Sequence, residues 1–179
     1  MPKTKIRFDG RILFLSCSSE AVEAQLQGRD LMVADALPLR DNISTDEITP
    51  VVIMMTYDSR LGEFPYVGFK TDDVLPIGNF AVKNGGFQVT VAGKRYGKGS
   101  SRESSPLAEK SAGIRLIIAE SFERIYRQNC DNIGIYTSTD FGLIERIRAG
   151  ESIDIEEFLV GRDAVTQAVI RAGGLLPFS

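Results

Sequence analysis

The spacing of apolar and polar positions changes along the chain, and each change marks an element. Arg11-Ile12-Leu13-Phe14-Leu15 is nearly continuous in apolar residues and predicts a short buried strand. Residues 19–27 predict a short helix, with Ser19 as its cap. Residues 30–34 form a second candidate strand. From residue 37 to 50 the periodicity disappears, and Asp, Asn, Ser and Thr crowd together as in a structured loop. Residues 54–84 carry scattered Gly, Pro and aromatic residues and have no clear period. Beyond them, residues 86–92 alternate like a half-buried strand that ends at Gly93. Residues 114–119 are a continuous aliphatic run suited to the interior of a sheet. A helix is predicted to open at Ser121, with Phe122, Ile125 and Tyr126 on a core-facing stripe and Gly134 after its end. A strand at 135–137, a helix at 141–148 closed by Gly150, and a helix at 162–172 stopped by Gly173-Gly174 complete the pattern. Strands alternating with helices imply an α/β layered fold.

Composition narrows what such a fold can do. The 179 residues correspond to a single domain spanning 1–179. At 43% hydrophobic and 25% charged, the chain has a globular rather than a disordered composition. No apolar run reaches the ~18 residues of a membrane span, and residues 1–7 precede no leader-like stretch, so a cytoplasmic protein is expected. The net charge of −3 speaks against a nucleic-acid binder. Histidine is absent, which excludes Ser-His-Asp and Cys-His catalysis and any His-ligated metal within this chain. Two cysteines, Cys17 and Cys130, are too few for a structural zinc or an iron–sulfur cluster. They are expected as free thiols, with Cys130 a small buried hydrophobe. Asp72-Asp73 reads as a solvated turn and Glu156-Glu157 as surface. Any chemistry therefore rests on Ser, Lys, Arg, Asp, Glu or Tyr, or on a cofactor held elsewhere.

The segment Gly93-Lys94-Arg95-Tyr96-Gly97-Lys98-Gly99-Ser100-Ser101-Arg102-Glu103 concentrates that chemistry. It joins a predicted strand to a predicted helix, where backbone N–H groups face out and favour anions. Its glycines admit close backbone approach, and Lys94, Arg95, Lys98 and Arg102 suit a small polyanion. Three readings compete. A phosphate-binding loop needs four residues before its Gly-Lys pair and a hydroxyl residue directly after. Here three residues separate Gly93 from Gly97, and Gly99 separates Lys98 from Ser100. A capping box of Ser100 and Glu103 also fits, but it places Pro106 well inside the helix. Ser105-Pro106 is itself a good cap and first residue, which frees residues 100–104 to form a functional turn.

Gly99-Ser100-Ser101-Arg102-Glu103 followed by Pro106 resembles the G-S-S-R-E-H-A-P signature of the aconitase superfamily, and more closely the small subunits of the 3-isopropylmalate dehydratase family. Residues 41–50, Asp-Asn-Ile-Ser-Thr-Asp-Glu-Ile-Thr-Pro, resemble that family's D-N-I-D-T-D-Q-I-I-P. Gly113-Ile114-Arg115, Ser121-Phe122, Asn129-Cys130, Gly134 and Gly173-Gly174-Leu175 follow in register, so the likeness spans roughly residues 30–176. It implies the swivelling β/β/α domain of the aconitase type, docked on a larger subunit that carries the iron–sulfur cluster. It also implies a hydro-lyase that reversibly dehydrates a hydroxy di- or tricarboxylate.

Carried over residue by residue, the resemblance makes Ser100 the general base, Ser101 its neighbouring donor and Arg102 the clamp on a substrate carboxylate. Asp46, beside Thr45, stands at the edge of the site. Arg60, the only arginine between Asp46 and Arg95, is the candidate for a second substrate contact. Gly97, Lys98 and Gly99 form the supporting loop. The chain departs from the pattern at Ser104-Ser105, where His-Ala is usual, at Lys98, at Lys94-Arg95-Tyr96, and in lacking Y-L-R within residues 57–66. These departures leave the substrate acid open. Two other uses of the same loop stay open as well: a stand-alone anion-binding or regulatory module, and a Ser-Lys hydrolase built on Ser100 and Lys98.

Overall fold

The computed structural model describes residues 4–54, 58–100 and 102–178. Its centre is a parallel sheet of β2 (Arg11–Phe14), β3 (Phe87–Ala92), β4 (Leu116–Ala119) and β5 (Tyr136–Ser138), in that spatial order. An outlying antiparallel pair, β1 (Lys5–Ile6) with β6 (Ile153–Asp154), packs beside it. Parallel strands need crossover connections, and the helices that make them bury both faces of the sheet. The strands accordingly divide their side chains between two cores. Phe14, Val91 and Ile118 face one, with Leu143, Ile144 and Ile147 of α8 (Gly142–Arg148) and the β1/β6 pair. Leu13, Phe87 and Ile117 face the other, with Tyr126 and Cys130 of α7 (Arg124–Ile133). α6 (Ser104–Ser111) crosses from β3 to β4.

Three expectations are corrected here. α1 (Ser19–Leu26) takes Ser18 rather than Ser19 as its cap, since the Ser18 hydroxyl accepts from the Ala21 N–H. Residues 30–34 form no strand; the chain turns into the short helix α2 (Val33–Ala36). The free edge of β2 is already satisfied, because the Gln25 amide accepts from Phe14 N–H at 2.7 Å and donates to Phe14 C=O at 2.9 Å. A buried side-chain amide thus does the work of a neighbouring strand. Finally, α7 begins at Arg124, not Ser121, because residues 120–123 continue β4 as a ladder against the loop that follows β3. Phe122 therefore lies outside the helix and is half-buried. Ile125 is 56% exposed rather than core. Cys17 and Cys130 are both free thiols. No helix among the described residues is long and apolar enough to cross a membrane.

Candidate active site

Beyond the last residue of β3 the chain runs on between two neighbours. On one side Gly97 and Lys98 donate N–H to Ile43 C=O at 2.9 and 3.1 Å, and Thr45 N–H donates to Lys98 C=O at 2.9 Å. On the other, Tyr96 N–H donates to Ser121 C=O and Glu123 N–H donates to Tyr96 C=O, both at 3.0 Å. Lys94 and Arg95 N–H are taken by Asp41 Oδ1 and Ser121 Oγ. All five amides from Lys94 to Lys98 are thereby occupied within the protein, so the loop is not a phosphate cradle of the P-loop kind. Gly97 has φ +87°, and a Cβ there would lie 2.1 Å from Tyr126 Cγ; only glycine fits. This ladder extends the C-terminal edge of the sheet, the edge at which parallel α/β folds place their sites.

Thr45, Gly97, Gly99, Ser100, Arg102, Arg124 and Tyr126 line one cleft of about 460 Å³ at that edge. Ser100 is exposed. Arg102 is held from below: its Nη1 donates to Asp46 Oδ1 at 3.1 Å and to Thr49 C=O at 3.2 Å. Among the described residues these are the guanidinium's partners, and they leave Nε and Nη2 for a bidentate ligand. Asp46 sits on α3 (Thr45–Ile48), which is followed by α4 (Val51–Met54) and is fixed by a capping box. Ser44 Oγ accepts from Glu47 N–H at 3.0 Å, and the Glu47 carboxylate accepts from Ser44 N–H. Arg40 anchors the same Glu47 carboxylate with two bonds of 2.9 Å. Asp46 therefore aims Arg102 and does not itself line the cleft.

The turn 100–104 is not a capping box. α6 starts at Ser104 with no side-chain cap bond, and Glu103 is exposed. Ser105 is inside the helix rather than its cap, and its hydroxyl donates to Thr45 C=O at 3.2 Å. Pro106 then lies in the first turn, where its missing N–H costs no intrahelical bond. Ser101 lies outside the described residues. Arg60 is exposed on a 3₁₀ turn (Asp58–Glu63) and reaches Glu63 at 3.8 Å. No hydrogen bond or ion pair among the described residues joins Arg60 to Ser100, Arg102 or Asp46. Nor does any hydrogen bond there join Lys98 to Ser100, and Lys98 does not line the cleft.

The pattern reading missed Arg124, Tyr126 and Gln128 as cleft residues. Tyr126 packs in the core as its spacing predicts and also lines the cleft, whereas Arg124 and Gln128 are exposed helix positions that no local pattern distinguishes. The pattern reading also missed the Ser44-x-x-Glu47 box that orients Asp46. No group of three or more Cys, His, Asp or Glu among the described residues could hold a metal ion. Cys130 is wholly buried, and burial holds its thiol well above the ordinary range.

A two-faced parallel sheet with a serine–arginine turn at its C-terminal edge defines a swivel domain of the aconitase type. The family model of the aconitase C-terminal domain matches residues 68–138. The 3-isopropylmalate dehydratase small subunit of Halothermothrix orenii is 35% identical over 76% of this chain and 87% of its own length. The isopropylmalate/citramalate isomerase small subunit of Methanocaldococcus jannaschii is 31% identical over 77% of this chain and 87% of its own length. The crystal structure of 3-isopropylmalate dehydratase from the same archaeon superimposes with a TM-score of 0.55 at 25% identity, covering 77% of this chain and 86% of that one. The chain belongs to the family of 3-isopropylmalate dehydratase small subunits.

Proposed function

We propose that this chain is the small subunit of a cytoplasmic hydro-lyase acting on 3-isopropylmalate or a closely related hydroxy di- or tricarboxylic acid, completed by a larger subunit. The observation that carries the reading is the meeting of Ser100 with an Arg102 already braced by Asp46 and Thr49 C=O in one cleft. A guanidinium fixed at one nitrogen presents its other edge to a substrate carboxylate without losing side-chain freedom on binding. Ser100, exposed on the same rim, yields its own proton to solvent and, as the alkoxide, takes the carbon-bound proton to become a hydroxyl again. A serine hydroxyl is a weak base in water, and the positive charges of Arg102 and Arg124 around the cleft stabilise its anion. Ser101 serves as the adjacent hydroxyl donor, and Arg124 rather than Arg60 supplies the second cation. With two cysteines and no histidine the chain lacks the ligands of an iron–sulfur cluster, and the cluster is assigned to the larger subunit.

Co-expression with a 3-isopropylmalate dehydratase large subunit tests the assignment. The two chains should co-purify, and the complex should interconvert 3-isopropylmalate or a related hydroxy acid with its unsaturated product, while the isolated chain does not. Turnover by this chain alone, or a pure complex inert on every acid of that class, would overturn the reading.

A further inference from the structure

Beneath the serine turn lies a carboxyl group that the proton transfer leaves unused. Glu109, on α6, is completely buried. Its Oε2 accepts from the Tyr96 hydroxyl at 2.7 Å and from the Tyr66 hydroxyl. The Tyr96 and Tyr66 hydroxyl oxygens lie 3.1 Å apart, and the Tyr66 oxygen lies 2.8 Å from Thr90 Oγ1 of β3. The other carboxyl oxygen, Oε1, is buried with no hydrogen-bond partner among the described residues.

These contacts close the chain around the catalytic turn. Tyr96 stands just before Gly97-Lys98-Gly99-Ser100, and its backbone is tied to Ser121 and Glu123. Glu109 stands on the helix that leaves the turn after Arg102. The bond from Tyr96 to Glu109 therefore fixes both roots of the turn to one point. The groups facing the carboxyl are Tyr66 from the segment before α5 (Ala81–Gly85), Tyr96 from the loop, Thr90 from β3, and the Cys130 thiol of α7. None of these is a cation.

We propose that Glu109, Tyr96 and Tyr66 form an uncharged clasp of positioning residues that holds Ser100 and Arg102 in register, and that loss of the Glu109 proton releases it. With the proton present, the carboxyl and the hydroxyls share their hydrogen bonds without net charge. Without it, a full charge falls partly on Oε1, which has no donor, and the helix must shift or admit water to solvate it. Burial pushes the acid up to about 8, against the two tyrosine hydroxyls, whose hydrogen bonds favour the ionised form.

The catalytic consequence rests on the proton-transfer roles assigned above, whereas the clasp itself can be measured on the full chain alone. Amide hydrogen exchange of Gly97 and Lys98, whose N–H groups are bonded to Ile43 C=O, is followed from about pH 6 to about pH 9.5 and corrected for the intrinsic base-catalysed rate. Protection in the wild type should fall at least about tenfold as pH crosses about 8. It should stay flat in Glu109→Gln, and in Glu109→Leu should Gln fail to fold. An identical step in both variants, or no step in the wild type, would overturn the proposal. In the assembled enzyme, Tyr96→Phe should lower kcat by about tenfold at an unchanged KM, as expected of misaligned proton transfer. A change confined to KM would count against the clasp. An inert wild-type complex would sink the hydro-lyase reading instead, and the exchange profile would still decide the clasp.

Discussion

Replacing Arg102 by lysine keeps the charge of the proposed clamp and removes its geometry. In the protein, Nη1 alone makes two bonds, to Asp46 Oδ1 and to Thr49 C=O. The Asp46 side chain is 63% exposed, so that ion pair is worth at most about 1 kcal/mol. The bond to the Thr49 carbonyl is charge-assisted and better shielded, and contributes about 1.5 kcal/mol. A lysine ammonium can keep one of these contacts but cannot brace itself below and bind a carboxylate above through two parallel bonds. Losing one charged hydrogen bond to substrate costs about 1.5–3 kcal/mol, so kcat/KM should fall about 10- to 150-fold. The folding cost of about 1–2 kcal/mol lowers Tm by only a few degrees in a domain of this size. Steady-state kinetics of the co-purified complex, run well below Tm beside a melting curve, separate the two effects. A kcat/KM within about twofold of wild type would refute the clamp and remove the main reason for assigning a carboxylate substrate.

Ser100→Ala should lower kcat by about 10²- to 10⁴-fold with KM little changed, and abolish exchange of the substrate's carbon-bound proton with solvent, read by NMR. Because Ser100 is exposed, Tm should not move measurably. Glu103→Ala should leave both Tm and kinetics unaltered, since Glu103 makes no cap; a clear drop in Tm would restore the capping-box reading. Gly97→Ala should destabilise the fold by several kcal/mol in denaturant titrations, because φ +87° disfavours a side chain and the Cβ would strike a buried tyrosine ring. Stability should also depend on pH through Glu109, whose folded pKa of about 8 lies above the unfolded value of about 4.3. The folded chain holds a proton that the unfolded chain sheds, so stability is highest at low pH and falls as pH rises between those values, by up to about 1.4 kcal/mol per unit. Urea midpoints should show that slope in the wild type and lack it in Glu109→Gln.

Much of this is legible in the amino-acid sequence, and the reason is local. The aliphatic run that became β4, the alternation of β3 and the glycines after α7 and α9 (Ala164–Ala172) act over a few residues, where backbone sterics and side-chain period decide. The turn motif was legible too, because a serine, an arginine and flanking glycines adjacent in sequence stay adjacent in space. Elements failed where a distant group intervened. The edge of β2 was closed by the Gln25 amide, and α7 was delayed by pairing of residues 120–123 with the loop around Tyr96.

Residue type and short spacing are therefore enough for the α/β class, the absence of histidine chemistry and the family to which the serine turn belongs. Folding is needed for Asp46 to brace Arg102, for Arg124 and not Arg60 to line the cleft, and for Glu109 to be buried between two tyrosines. Those partners lie 56 residues apart in the first case and 43 and 13 in the last, and no period relates positions so distant. They meet because parallel strands return every crossover to the same edge, so that side chains from separate loops converge there on one site.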